Sequence, residues 1–141
     1  MRFFHNPALA RFSWAAFRIM FGLAFACHGA QKLFGMFGGV DGKGMAVPLM
    51  SMFGRAGVLE LVGGLLIVIG LFTRPVAFIL SGEMAVAFFV AHVAPSGSLI
   101  PVVNKGELAV LYCFAFLFLA FHGAGPFSVD AGRRPVTEPG A

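Results

Sequence analysis

His28, Gln31 and Lys32 stand at positions i, i+3 and i+4 in the stretch "FACHGAQKLFG" (Phe25–Gly35). On a helix these three side chains share one face. A long apolar run precedes them, so they meet water only at the end of that run or at one another. A second acidic candidate, Glu60, falls inside another apolar run, "VLELVGG", with Gly57 and Gly64 on its own helical face. Counted at about 1.5 Å per residue, His28 lies about 9 Å below one surface and Glu60 about 10 Å. A His–Gln–Lys–Glu group converging beneath the glycine-rich cap can donate and accept hydrogen bonds and can move protons, with histidine near its switching range. His92 and Glu107 fall nearer the same surface and extend the set of ligand-binding candidates. Each residue also has a plainer reading. Lys32 can snorkel, Glu107 can favour a helix start, and His28 can bond a neighbour.

Two more charges lie at depth toward the opposite surface. Arg18 is about 9 Å in and Glu83 about 12 Å in. Charges in hydrocarbon demand partners, so the expectation is a structural Arg18–Glu83 ion pair, with Trp14 one turn earlier stacked on the guanidinium. Cys27 and Cys113 form neither a CxxC pair nor a haem-attachment motif. They are small buried hydrophobes or, at their matching depth, a possible thiol pair. Other chemistries find no support. His28 and His92 differ in depth by about 6 Å, which disfavours haem. No cluster has zinc-ligand spacing, and no nucleotide loop or G-x-S-x-G elbow is present. No metal is expected.

These residues must be positioned by an unusually apolar chain. Of 141 residues, 59% are hydrophobic and 11% charged, and the mean hydropathy is +0.90. A soluble domain of this size cannot hide so much apolar surface. Four segments, about Phe12–Phe34, Phe53–Phe72, Pro75–Ala94 and Gly106–Gly123, approach the ~20 residues that cross ~30 Å of hydrocarbon. The expected fold is all-α, a four-transmembrane-helix bundle with both termini on one side. Residues 1–125 form the membrane domain and residues 126–141 a polar tail, disordered toward its end. Between helices 1 and 2, "GMFGGVDGKGMAVPLMSM" is rich in glycine yet studded with Met, Val and Phe. Such a segment lies on the interface and caps the bundle.

Arg2, Arg11, Arg74, Arg133 and Arg134 fall on the terminal side, against Lys32, Lys43, Arg55 and Lys105 on the other. This places the termini in the cytoplasm by a narrow margin. The net charge of +4 is scattered over helix ends and does not describe a nucleic-acid surface. The first helix has a basic start, and "AFAC" hints at a lipoprotein cleavage box ending at Cys27. Ala24 and Phe25 break that box, and the first helix is read as retained. Small residues at four-residue spacing, Gly22–Ala26–Ala30 and Ala77–Ser81–Ala85, read as close helix contacts.

"HGAQKLFG", "GVLELVGGLLIVIGLFTRP", "GEMAVAFFVAH" and "NKGELAVLYCFAFLFLAFHGAGPFSVD", in that order and closing on G-x-G-x-x-S-x-D, resemble the DoxX family of small bacterial membrane proteins. The resemblance covers nearly the whole chain. It implies a four-helix protein of the bacterial inner membrane, with relatives that include the membrane subunit of a thiosulfate:quinone oxidoreductase and others associated with thiol redox and oxidative-stress defence. His28, Gln31, Lys32, Glu60, Glu107 and Asp130 fall within its motifs. The neighbouring vitamin K epoxide reductase-like proteins carry a CxxC that this chain lacks, which argues against disulfide formation.

Three functions are therefore in view. The first is a quinone-linked oxidoreductase subunit for thiosulfate or thiol oxidation. In it His28, Lys32 and Glu60 act on a quinone held by phenylalanines, and Lys32, Lys43 and Lys105 draw in an anionic sulfur substrate. The second is a non-catalytic membrane anchor for soluble redox or stress-defence enzymes. The third is a small-molecule transporter, its path formed by a homo-oligomer of the bundle, although no inverted repeat is visible. The expected surroundings are the lipid bilayer and, in the first two cases, a soluble redox partner protein.

Overall fold

The computed structural model describes residues 5–133. Its long elements are four helices, α1 (Pro7–Phe34), α2 (Met52–Ile69), α3 (Thr73–Ser96) and α4 (Glu107–His122). No strand occurs among the described residues. The helices run alternately up and down, so the start of α1 and the end of α4 share one end of the bundle, here the near end.

Local chemistry sets the helix limits. Asn6 accepts a hydrogen bond from the Ala8 N–H at 2.9 Å and Pro7 opens the first turn, so α1 begins five residues before the apolar run does. Gly35 ends it in the left-handed conformation at φ 66°. Ser51 caps α2 through the Gly54 N–H at 3.0 Å, and Gly70 closes that helix at φ 67°. α3 contains a π-helical turn over Phe88–Val93. The first three helices are long and apolar enough to span a membrane. α4 has 16 residues, about 24 Å of helix, because the short turn Pro101–Asn104 and left-handed Lys105 consume the chain before it. A bilayer meets a short helix by thinning or by tilting its neighbours.

Helices α1 and α2 pack as one close pair, and α3 packs against α4 as another. Glycine permits the first pairing. A Cβ at Gly22 would sit 2.8 Å from the Gly64 carbonyl oxygen, so the two backbones nearly touch. Gly57 and Gly64 therefore make room for α1, whose Lys32 Cβ and Ala26 backbone lie against them, rather than for a ligand beside Glu60. Phe25, Ile67, Leu80, Met84, Phe116 and Leu119 join the pairs in a central core. Most other large apolar side chains point outward, among them Phe12, Met20, Val62, Phe78 and Phe114, as a lipid-facing surface requires.

The glycine-rich segment folds back over the end of α1. Gln31 Nε2 donates to the Gly39 carbonyl at 2.9 Å and the Val47 N–H to the Lys32 carbonyl at 2.8 Å. Met36, Phe37, Met45, Leu49 and Met50 stay exposed on it. At the near end, residues 126–133, assigned on sequence to the tail, lie against the bundle and end in a helical turn, Val129–Gly132. The tail's expected disorder concerns residues outside those described.

Candidate functional site

A cavity of about 810 Å³ occupies the far half of the bundle, walled by all four long helices. Part of its lining is polar. Lys32 Nζ forms an ion pair with Glu60 Oε1. Glu60 is buried on α2, and the Lys32 stem reaches it from α1. Lys32 also stands in the last turn of α1, where the macrodipole favours a cation. His28, one turn earlier, lines the cavity and meets the Tyr112 ring edge-on, with centroids 6.0 Å apart. His92 lines it from the π-helical turn and donates from Nδ1 to the Asn104 carbonyl at 3.2 Å. A π-turn widens a helix locally and is common at functional sites.

Apolar side chains complete the walls, including Leu59 of α2 and Ile79 and Val86 of α3. These three are also exposed. The cavity is therefore open rather than enclosed along its α2 and α3 walls. Arg55 and Lys105, both exposed, stand on its walls toward the far end.

The structure brings together His28, Lys32, Glu60 and His92, but not every expected residue. Gln31 anchors the glycine-rich segment and is not a wall residue. Glu107 is exposed in the first turn of α4, outside the cavity. Its place is explained by the positive end of the helix dipole. The glycine-rich segment covers the end of α1 and reaches the cavity only at its last residue, Met52, which also opens α2.

The expected Arg18–Glu83 pair does not form. Arg18 is fully buried and donates from Nη1 to the carbonyls of Ile67, at 2.8 Å, and Val68, and from Nη2 to that of Phe127 at 2.7 Å. The open carbonyls at the end of α2 outcompete a distant carboxylate, because they need a donor and carry the negative end of the helix dipole. Trp14 does not stack on Arg18 either. It packs on Phe118, with centroids 5.2 Å apart. Glu83 instead lines the cavity, near enough to Glu60 and Lys32 to feel their charges. Neither of its buried oxygens has a hydrogen-bond partner among the described residues.

Sequence reasoning missed Tyr112, Arg55 and Lys105 as wall residues. Tyr112 left a signal, as the single tyrosine among 18 phenylalanines, since a phenol in lipid asks for a polar neighbour. Cys27 and Cys113 are free thiols, half-buried and off the cavity walls. Ser81 Oγ donates to the Cys113 carbonyl at 2.9 Å. No group of metal-ligating side chains occurs among the described residues.

Asp130 serves the near end. It accepts from the Phe72 N–H at 2.9 Å and the Thr73 N–H at 2.8 Å, capping α3 from a distant part of the chain. Burial pushes its carboxyl up, but these N–H groups and nearby Arg133 outweigh that and hold it below the ordinary carboxylate value.

Comparison with known proteins bears on the same segments. The family model described as DoxX matches residues 13–93, a range that includes α2, most of α1 and α3, and His28, Lys32, Glu60, Glu83 and His92. A protein of Haemophilus influenzae, described as "Uncharacterized protein", is 45% identical over 119 residues, 82% of this chain and 87% of its own length. No solved structure matches.

Proposed function

The chain belongs to the DoxX family of membrane proteins, and from that premise we propose that it is a quinone-linked redox subunit of the bacterial inner membrane, with its cavity toward the periplasm. One observation carries this reading: an open cavity with mostly apolar walls holds a part-buried Lys32–Glu60 ion pair. Lipophilic ring compounds with polar groups at their edges suit such a space, since pockets of this kind combine apolar walls with few, placed polar groups. A quinone bound there would accept two electrons and two protons to become the quinol.

The chain's own residues have distinct parts in this reading. Lys32, held by Glu60, directs N–H groups toward a ligand oxygen. His28 exchanges protons beside Tyr112. The apolar walls exclude water and strengthen each polar contact. Arg55 and Lys105 raise the local concentration of anions at the far end. Suitable electron donors are reduced-sulfur anions or thiols, two of which join through a new S–S bond and release the two electrons.

Mass spectrometry of the gently purified protein tests the reading directly, with a bound quinone as the expected result. Absence of quinone, together with no quinone reduction on adding thiosulfate or a thiol, sinks it. A non-catalytic anchor would then be the better description.

A further inference from the structure

Glu83 is the one cavity carboxyl that the reading above leaves without a task. It lines, from α3, the same cavity as the Lys32–Glu60 pair, and both its oxygens are buried without a hydrogen-bond partner among the described residues. Oxygen Oε2 of Glu60 is likewise buried and unpartnered. The near end shows what this chain does with an architectural charge, since Arg18 there makes three hydrogen bonds to backbone carbonyls. Glu83 has no such contacts. A buried, unsatisfied polar group costs stability, and this one stabilises no helix end.

Its neighbours narrow the task further. The charged and titratable groups lining the cavity are His28 and Lys32 on α1, Arg55 and Glu60 on α2, His92 on α3, and Lys105 and Tyr112 in and before α4. Lys32 is engaged with Glu60, and His92 with the Asn104 carbonyl. Arg55 and Lys105 stand exposed at the rim. Glu83 therefore faces the cavity space itself. Its neighbour Gly82 also lines the cavity.

We infer that Glu83 is a catalytic residue, the carboxyl that exchanges a proton with a ligand oxygen in this cavity, and that the Lys32–Glu60 pair orients that ligand. The inference rests on the quinone reading. In the proposed reaction the reduced-sulfur donor supplies both electrons and is oxidised to the S–S product. The Glu83 O–H bond breaks as one quinone O–H bond forms, and His28 delivers the second proton. Water entering from the far end returns a proton to each residue.

Infrared difference spectroscopy tests this without any sulfur donor. The full chain, in lipid nanodiscs with a bound short-chain ubiquinone, is reduced electrochemically. The expected result is a shift of a protonated-carboxyl stretching band in the wild type. That band is absent in Glu83→Gln, while ubiquinone affinity changes by no more than about twofold. Glu83→Asp, which keeps the acid but shortens its reach, retains the band in altered form. Persistence of the band in Glu83→Gln overturns the inference and leaves the quinone reading standing, as does loss of the band in Glu60→Gln alone. Loss of ubiquinone binding in Glu83→Gln also overturns it, since the residue would then serve binding. If the wild type binds no ubiquinone, the quinone reading itself falls and takes the inference with it.

Discussion

The two ends of this bundle treat buried charge in opposite ways. At the near end three charged groups, Arg18, Arg74 and Asp130, meet helix termini of opposite polarity. Arg18 satisfies carbonyls at the end of α2, and Arg74 donates to the Phe121 carbonyl, at 2.7 Å, at the end of α4. Asp130 caps the start of α3. At the far end, among the described residues, Lys32 and Glu60 form the one ion pair, Glu83 has no hydrogen-bond partner, and all three line one cavity. A helical membrane protein must satisfy its backbone internally, and the near end does that with side chains. The far end keeps polar groups that its own backbone does not need. Such groups in a membrane segment point to function.

Arg18→Met should give the largest effect and should confine it to stability. It leaves the carbonyls of Val68 and Phe127 without a side-chain donor in a buried place. The expected loss is on the order of 3 kcal/mol, from about 1–3 kcal/mol for each unsatisfied group. Detergent-induced unfolding followed by circular dichroism measures it. A loss below about 1 kcal/mol would break the contrast, because Arg18 would then be dispensable to the fold.

Glu60→Gln should do the reverse. Lys32 is 19% exposed in its side chain, so once released it can swing toward the cavity opening and keep its charge hydrated. Quinone reduction should fall by about 100-fold, the lower range for a lost proton-transfer or orienting group. The unfolding midpoint should move far less than in Arg18→Met. If Glu60→Gln instead unfolds the bundle while the surviving folded fraction keeps its activity, the far end is architecture as well.

The bundle was legible in the sequence because hydropathy needs only composition and length. The polar pocket was partly legible. His28 and Glu60 share a level by a fixed rise per residue, and helical periodicity put Lys32 on the His28 face. The same count failed for Arg18 and Glu83, because depth does not say which face of a helix a residue occupies. It also ignored the carbonyls at the end of α2, which no side-chain inventory displays. The π-helical turn that carries His92 left no readable mark, since it arises from packing rather than from a residue type. Asp130 fell in a recognisable motif, but its task of capping a helix that starts 57 residues earlier depends on the tertiary fold.

Asp130→Ala sharpens the near-end side of the comparison. Loss of a cap costs about 1 kcal/mol. Asp130 titrates below the ordinary carboxylate value, so its folded state prefers the ionised form. Its contribution is complete above the unfolded value, near 3.9, and disappears as pH falls through the lower folded value. Wild type and variant should therefore differ at neutral pH and converge in strong acid. Unfolding curves at both pH values measure the gap, and a gap that stays constant would assign the effect to packing.

The smallest effect should come from Cys27→Ser/Cys113→Ser. Both thiols are free and neither lines the cavity. Cys113 Sγ lies 3.5 Å from Ser81 Oγ, a contact that a serine hydroxyl can replace. Quinone reduction in the double variant should stay within about twofold of wild type, and stability within about 1 kcal/mol, as for other conservative changes. The measurement also separates two electron routes. If a reduced-sulfur donor reacts in the cavity, removing both thiols changes nothing. If the double variant loses activity while still binding quinone, electrons pass through the cysteines, and the division between a structural near end and a chemical far end must then extend to α4, where Cys113 sits against Ser81 of α3.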